Sequence, residues 1–287
     1  MTVLLVDSHS LLFRAHHALP PMNTTAGEPT QAVYGTSVLL LKLLREVRPT
    51  GLAFAFDTPT KTFRHQAFAG YKAGRARVDD GLVRQLRRFD DVVTALGAPA
   101  HRHPGYEADD VLATLAAQSE ADVLVVTGDR DLFQTIDRRV EVLFVGRRGG
   151  PHERYDLAAI DRRYPGVSPA LLPSVTALVG DPADNLPKVP GIGIKTAVDL
   201  VRRYGDVAGV LAHRDALRPR VRAALTDAAD QIRQSEVLAR LRRDVPVTAP
   251  LWAPVAASAP ERLAGLFEAL EFRSLLPRLA AALHPTA

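Results

Sequence analysis

The sequence predicts an α/β protein: an open, mostly parallel sheet flanked by helices, followed by a helical C-terminal part. Three observations carry this. The apolar runs VLLV (3–6), LAFAF (52–56) and DVLVVT (122–127) are continuous rather than alternating, as strands buried on both faces require. Helical patterns at 31–46, 82–96 and 109–117 lie between or beside them, and strand–helix alternation of this kind builds a parallel sheet. Further helical patterns follow at 168–179 and 194–203. The expected division is a core over 1–167 and a helical region over 168–287.

A chain of 287 residues can bury one large core or two modest ones. With 47% hydrophobic and 24% charged residues, the composition is that of an ordinary soluble protein. No apolar run approaches the roughly 18 residues of a membrane span, and TVLLV at the start is too short for a secretory leader. The absence of cysteine excludes disulfides and thiolate metal sites. An intracellular, cytoplasmic protein is expected. The net charge of +4 and pI of about 9.6 favour a polyanionic partner.

Each apolar run ends in carboxylates: Asp7 after the first, Asp57 after the second, Asp129 and Asp131 after the third. Open sheets bind ligands beyond the carboxyl ends of their strands. One such acid is ordinarily a turn or helix-cap residue; four at one edge ask for another explanation. GYEADDVLAT (105–114) adds Glu107, Asp109 and Asp110 at a helix mouth. Capping accounts for one or two of them, at roughly 0.3–1 kcal/mol each, but adjacent like charges return part of that gain. Two unit charges about 4 Å apart repel by roughly 4 kcal/mol at an effective dielectric of 20. Seven converging carboxylates without cations would therefore exceed the typical 5–15 kcal/mol stability of a domain. Either they stay apart or they hold metal, and the metal reading is preferred. An all-oxygen set suits Mg²⁺ or Mn²⁺, and two such ions serve phosphodiester hydrolysis. Asp181 and Asp184 in GDPADNLP, taken alone, read as a turn rich in Asp, Pro and Asn.

Directly after that turn, KVPGIGIKTA (188–197) places Gly191 and Gly193 between Lys188 and Lys195, with helical patterns on both sides. Bare backbone N–H groups there can approach an anion. The segment resembles the helix-hairpin-helix family, which grips DNA phosphates without reading sequence. A second basic stretch, KTFRHQAFAGYKAGRAR (61–77), interleaves Lys61, Arg64, Lys72, Arg75 and Arg77 with Phe63, Phe68 and Tyr71 and holds no acid. Such a mixture suits single-stranded nucleic acid; its plainer reading is a solvated loop.

Taken together, VDSHSLLFRAHHAL, GEPTQAVYG, FRHQAFAGYKAGRA, GYEADDVLAT, TGDRDLFQ, GDPADNLPKVPGIGIKTA and EFRSLLPRL resemble, in order, the 5′-nuclease (flap endonuclease) family. That family includes the 5′→3′ exonuclease domain of bacterial DNA polymerase I. The resemblance implies a PIN-like nuclease core with a helix-hairpin-helix of the H3TH type at 186–203. It implies metal ligation by Asp7, Asp57, Glu107, Asp109, Asp110, Asp129, Asp131, Asp181 and Asp184. Arg64, Tyr71, Lys72 and Arg75 would belong to an arch or gateway near 61–90, with Lys72 facing the scissile phosphate. Arg14, Lys188, Gly191, Gly193, Lys195 and Thr196 would contact DNA, and K⁺ would bind hairpin carbonyls. The implied substrate is a 5′ end, nick or flap on duplex DNA, RNA–DNA primers included. The protein would act as a monomer at the nucleoid, in functional partnership with a polymerase and a ligase.

The chain departs from the family in two places. Asp7 is followed by Ser8 rather than Gly, a tolerable change. The proline and acid usual after the arch appear as Arg77-Val78-Asp79-Asp80-Gly81, and Gly81 costs roughly 1 kcal/mol of helix stability relative to Ala, which casts doubt on the arch being ordered. No polymerase sequence follows; Met1 directly before the first strand favours a free-standing nuclease over an excised domain. A haloacid-dehalogenase-like phosphatase would need Asp-x-Asp where Asp7-Ser8-His9 stands. A non-catalytic fork-binding module would have lost acids, and none is missing. A PIN-fold ribonuclease would be shorter and lack the hairpin.

Overall fold

The computed structural model describes residues 1–75, 78–146 and 152–283. Arg77 therefore lies outside the described residues. Strands β1 (Thr2–Asp7), β2 (Gly51–Ala55), β3 (Ala100–His101), β4 (Asp122–Thr127), β5 (Val140–Phe144) and β6 (Glu153–Tyr155) form one sheet in the order β3-β2-β1-β4-β5-β6. Neighbours are parallel except β5 and β6. Helices α1 (Ser8–Ala18), α2 (Gln31–Val47), α3 (Phe63–Ala67), α4 (Asp80–Leu96), α5 (Ala108–Gln118) and α6 (Leu157–Arg163) belong to the first part of the chain.

Both faces of the sheet are covered, which is why its strands read as unbroken apolar runs. Leu4, Val6, Leu52, Phe54, Leu124 and Val126 share one core with α1, α2 and α4. Val3, Leu5, Ala53, Ala55, Val123 and Val125 turn to the other face and pack with α5. That second core continues into α7 (Leu172–Val179), α8 (Ile194–Tyr204), α9 (Val207–Ala212), α10 (Pro219–Asp227) and α11 (Ala229–Ala239). The remaining helices, α12 (Ala259–Ala269) and α13 (Leu276–Leu283), cross back to the first face, where Leu263, Phe267 and Leu279 join the core of α2 and α4. The helical region thus serves two faces of the sheet, a split that helical periodicity alone does not express.

The segment after the basic stretch is helical from Asp80. Asp79 caps α4 through a bond from the Leu82 N–H to its Oδ1 (3.1 Å), and Gly81 sits inside the first turn. Among the described residues, no helix is long and apolar enough to cross a membrane.

Candidate active site

The chain leaves β1 for β2 on one side and returns to β4 on the other, so the β1–β4 crevice is the point where strand order reverses and ligands bind. Asp7 closes β1 and caps α1. Its Oδ1 accepts from the Ser10 N–H (3.1 Å) and its Oδ2 from the Thr127 hydroxyl (2.7 Å). The same hydroxyl accepts from the Asp129 N–H (2.9 Å), and Asp129 Oδ1 accepts from the Asp131 N–H (3.0 Å). Ser10 Oγ accepts from the Gly128 N–H (3.0 Å). Arg14 donates to the Gly128 carbonyl, with its guanidinium 5.2 Å from the Phe144 ring centre. Thr127 and Ser10, which stitch the two strand ends together, are not singled out by the sequence; a hydroxyl three residues after Asp7 and another two before Asp129 are the available signal.

The three acids of GYEADDVLAT divide their roles. Glu107 is the N-cap of α5, in a reciprocal capping box with Asp110. Asp110 is fully buried and saturated. Its two oxygens receive Arg64 (2.6 and 2.8 Å), the Glu107 N–H (3.1 Å) and the Arg242 N–H (2.9 Å). Arg64 is 1% exposed and also donates to the carbonyls of Leu238 and Arg240. Arg64, expected at a gateway, and Asp110, expected as a metal ligand, are thus paired with each other. The pair ties α3 to the mouth of α5 and the end of α11, because a buried guanidinium needs a bidentate acid and carbonyls. Among the described residues no cation is hydrogen-bonded to Asp109, although Lys72 lies near enough to draw its carboxyl down. Asp109 lies among Asp7, Asp129 and Asp57, and Asp57 Oδ1 accepts from the Ala108 N–H (2.8 Å).

Electrostatics mark the same divide. Burial pushes the Asp7 carboxyl up to about 7 despite its bonds from Thr127 and Ser10, with Asp57 and Asp129 adding to the rise. Burial, then the neighbouring acids, hold Asp109 and Asp131 well above the usual carboxylate range; Asp181 is raised by burial and by Asp184 and Asp129. Among the described residues, no three carboxylates or histidines form a finished metal shell. The donors are nevertheless oxygens only, crowded and short of cations, which fits a hard divalent ion that keeps several of its waters rather than a closed cage.

Opposite this row, residues 68–75 dock on the GDPADN turn. The Tyr71 hydroxyl donates to Asp184 Oδ2 (2.6 Å) and stands 3.0 Å from Glu107 Oε2. Lys72 Nζ reaches Glu107 Oε1 (2.7 Å), its N–H donates to the Asp184 carbonyl (3.2 Å), and its backbone is left-handed at φ 54°. Arg75 donates to Asp184 Oδ1 (2.8 Å) and to the Ala183 carbonyl. Burial lowers the Lys72 ammonium pKa, but Glu107 and Asp184 outweigh it and raise the group overall. Asp181 Oδ1 caps the turn through the Ala183 N–H (2.7 Å).

The turn runs into the hairpin. Val189 and Ile192 are buried and anchor it, while Lys188, Gly191, Gly193 and Lys195 face solvent and Thr196 is half-buried. Gly191 is left-handed (φ 78°); Gly193 is the N-cap of α8, with open space where a side chain would project. Arg220 of α10 lies beside Gly191, 3.6 Å from the position of a would-be Cβ. The basic run Arg218-Pro219-Arg220 was the unused signal for it.

Comparison with known proteins gives one direction. Residues 2–165 match the model of the 5′-3′ exonuclease N-terminal resolvase-like domain, and residues 167–261 that of the 5′-3′ exonuclease C-terminal SAM fold. The chain is 41% identical to DNA polymerase I of Mycobacterium leprae over 98% of its length, covering 31% of that protein. It is 40% identical to the thermostable DNA polymerase I of Thermus aquaticus over 96% of its length, covering 32% of that protein. The chain thus spans about a third of the length of these curated relatives. Its fold is similar to that of T5 5′-exonuclease with divalent zinc bound, at a TM-score of 0.67 and 18% identity over 98% of this chain and 100% of the other.

Proposed function

The chain belongs to the 5′-3′ exonuclease family, and from that premise we propose that it is a divalent-metal-dependent nuclease. It hydrolyses phosphodiester bonds at 5′ ends, nicks and flaps of duplex DNA, RNA primers included. The observation that carries this reading is the row Asp7, Asp109, Asp129 and Asp131 at the β1–β4 crevice, short of protein cations. Asp57, Asp181 and Glu107 complete the set; zinc binding by T5 5′-exonuclease, of similar fold, supports a divalent ion, and the all-oxygen donors favour Mg²⁺ or Mn²⁺. When bound, such ions activate water and stabilise the leaving oxygen.

The chain's own residues do the rest. Thr127 and Ser10 fix the two strand ends so that Asp7 and Asp129 cannot splay apart. Lys72, anchored on Glu107, brings a compact ammonium to the rim where a phosphate would enter. The backbone of 189–193, with Lys188, Lys195 and Arg220 around it, holds duplex phosphates, and its carbonyls offer a K⁺ site. Residues 1–167 act as the cutting unit and the hairpin region as the grip, in a monomer working in the bacterial cytoplasm at the nucleoid alongside a polymerase and a ligase. A 5′-labelled flap and a nicked duplex, each incubated with Mg²⁺, Mn²⁺ or EDTA, test the reading. Short labelled products are expected with either metal and none in EDTA. Tight binding without products in either metal would leave a fork-binding module instead.

A further inference from the structure

Helix α11 contacts both of the segments that meet at the Lys72 rim. Gln231 and Gln234, spaced i, i+3, share one of its faces. Gln231 Nε2 donates to the Pro187 carbonyl (2.9 Å), one residue before Lys188 of the hairpin. Gln234 Nε2 donates to the carbonyl of Ala67 (3.2 Å), the last residue of α3. Pro187 and Ala67 are both exposed, so water would satisfy their carbonyls equally well. What the two amides add is position. At the other end of α11, Arg64 donates to the Leu238 and Arg240 carbonyls, and Leu238 and Ala239 pack with Tyr71, Phe68 and Leu186.

The two segments close on each other in a strained latch. The Lys72 N–H donates to the Asp184 carbonyl (3.2 Å), and Asn185 Nδ2 donates to the Gly70 carbonyl (2.8 Å). Lys72 (φ 54°) and Asn185 (φ 59°) are both left-handed. A residue other than glycine keeps that conformation only where its surroundings over-determine it. Such strain gives the latch two states: closed, with Lys72 on Glu107, and open, with the backbone relaxed. α11 holds one half through Gln231 and the other through Gln234.

We infer that α11 braces this latch, so that duplex held at the hairpin fixes Lys72 in place, with Gln231 and Gln234 as the positioning residues. This rests on the nuclease reading above and links its grip to its cutting rim. Phosphates on Lys188 and the 189–193 backbone steady Pro187. Gln231 carries that restraint to α11, and Gln234 returns it to Ala67, five residues before Lys72. Among the described residues neither glutamine is hydrogen-bonded to an acid of the metal row.

The test is the Gln231→Met/Gln234→Met double variant, which keeps side-chain length and helix propensity and removes both donors. Amide hydrogen exchange across 68–75 is measured in EDTA, with and without a nicked duplex. In wild-type protein the duplex should slow exchange of the Lys72 N–H by about tenfold; in the variant it should slow it by less than about twofold. Duplex affinity should stay within about twofold, because the closed latch already predominates without DNA. A role confined to stability would raise exchange equally with and without duplex. In Mg²⁺, single-turnover cutting by the variant at saturating DNA should fall about fivefold with half-saturation unchanged. Equal protection in the two proteins, no protection in the wild type, unchanged cutting at saturation, or protection lost only as far as duplex binding is lost would each overturn the brace. If the double variant melts lower, Gln234→Met alone, at the exposed position, carries the same comparison. Wild-type protein that shows the protection but cuts neither flap nor nick removes the nuclease reading and leaves the brace; cutting with protection intact in the variant removes the brace alone.

Discussion

Two groups of acids share the carboxyl edge of one sheet and live under opposite conditions. Asp110 and Asp184 are buried among protein cations and donors: Arg64 on the first, Tyr71 and Arg75 on the second. Burial drives the carboxyls of Asp7, Asp109 and Asp131 upward, and neighbouring acids add to it: Asp57 and Asp129 on Asp7, Asp7, Asp129 and Asp57 on Asp109, and Asp129, Asp184 and Asp181 on Asp131. A buried carboxylate must be paired or neutralised. Lys72 draws Asp109 and Asp131 down, but burial and the neighbouring acids outweigh it. A carboxylate held by a protein cation is satisfied in the metal-free fold, whereas one crowded chiefly by other acids gains most from a cation supplied from outside.

The largest expected effect strikes the unpaired group. Asp109→Asn and Asp129→Asn should each lower cleavage by more than about a thousandfold while DNA binding stays within about tenfold, since these groups act through ions rather than on DNA. In EDTA both variants should melt a few degrees higher, because each removes one repelling charge. A variant retaining a tenth of wild-type cutting would erase the contrast between the two groups.

The paired group should fail the other way. Arg64→Ala leaves Asp110 buried and uncompensated, a loss of about 3–5 kcal/mol, read as a lowered denaturation midpoint. Asp110→Leu added to Arg64→Met should recover much of it, because an apolar pair of similar size removes the stranded charge. If Arg64→Ala instead keeps its stability and loses DNA affinity, Arg64 belongs to a gateway after all.

The two groups also part company with pH. Asp7 has a folded value of about 7 against an ordinary 3.8, so between those values the folded state holds a proton that the unfolded chain has released. Stability without metal should therefore fall as pH rises from about 4 through about 7, then level off. Asp109 and Asp131 push in the same direction. In EDTA the melting temperature should drop by about 5 °C over that window, and Mg²⁺ at pH 8 should restore it by binding the folded state alone. A metal-free melting temperature that rises across the window would contradict the crowding.

Much of this was legible from residues alone. The three buried strands announce themselves because both faces are covered, and the acids at their ends follow from the same reading. β3 and β6, at two and three residues, carry too short a pattern to see. The bridge between Ala253 and Leu52 of β2 is equally hidden, because its contact is long-range. The division within GYEADDVLAT was not legible either. Nothing in the local spacing of Glu107, Asp109 and Asp110 says that Arg64 and the Arg242 N–H will claim the third acid. That depends on where α3 and the end of α11 pack.

The smallest expected effect concerns Gly81, at the join between the docked cationic segment and α4. Helix propensity alone favours Gly81→Ala by about 1 kcal/mol. The structure adds an opposing term, because a Cβ at Gly81 would stand 2.7 Å from Asp79 Oδ1, the oxygen that caps α4 through the Leu82 N–H. Displacing that oxygen gives up a cap of typically about 1 kcal/mol. The carboxylate is the movable end of a side chain, so the clash is relieved by rotation rather than by backbone strain. Gly81→Ala should therefore leave stability within about 0.5 kcal/mol of wild type. In the Asp79→Ala background, where no cap remains to lose, the same substitution should stabilise by nearly the full propensity difference. Denaturant midpoints of the four proteins settle it. Full stabilisation by Gly81→Ala in the wild-type background would mean the cap contributes nothing, and the start of α4 would then owe its order to the cationic segment docked on Asp184 instead.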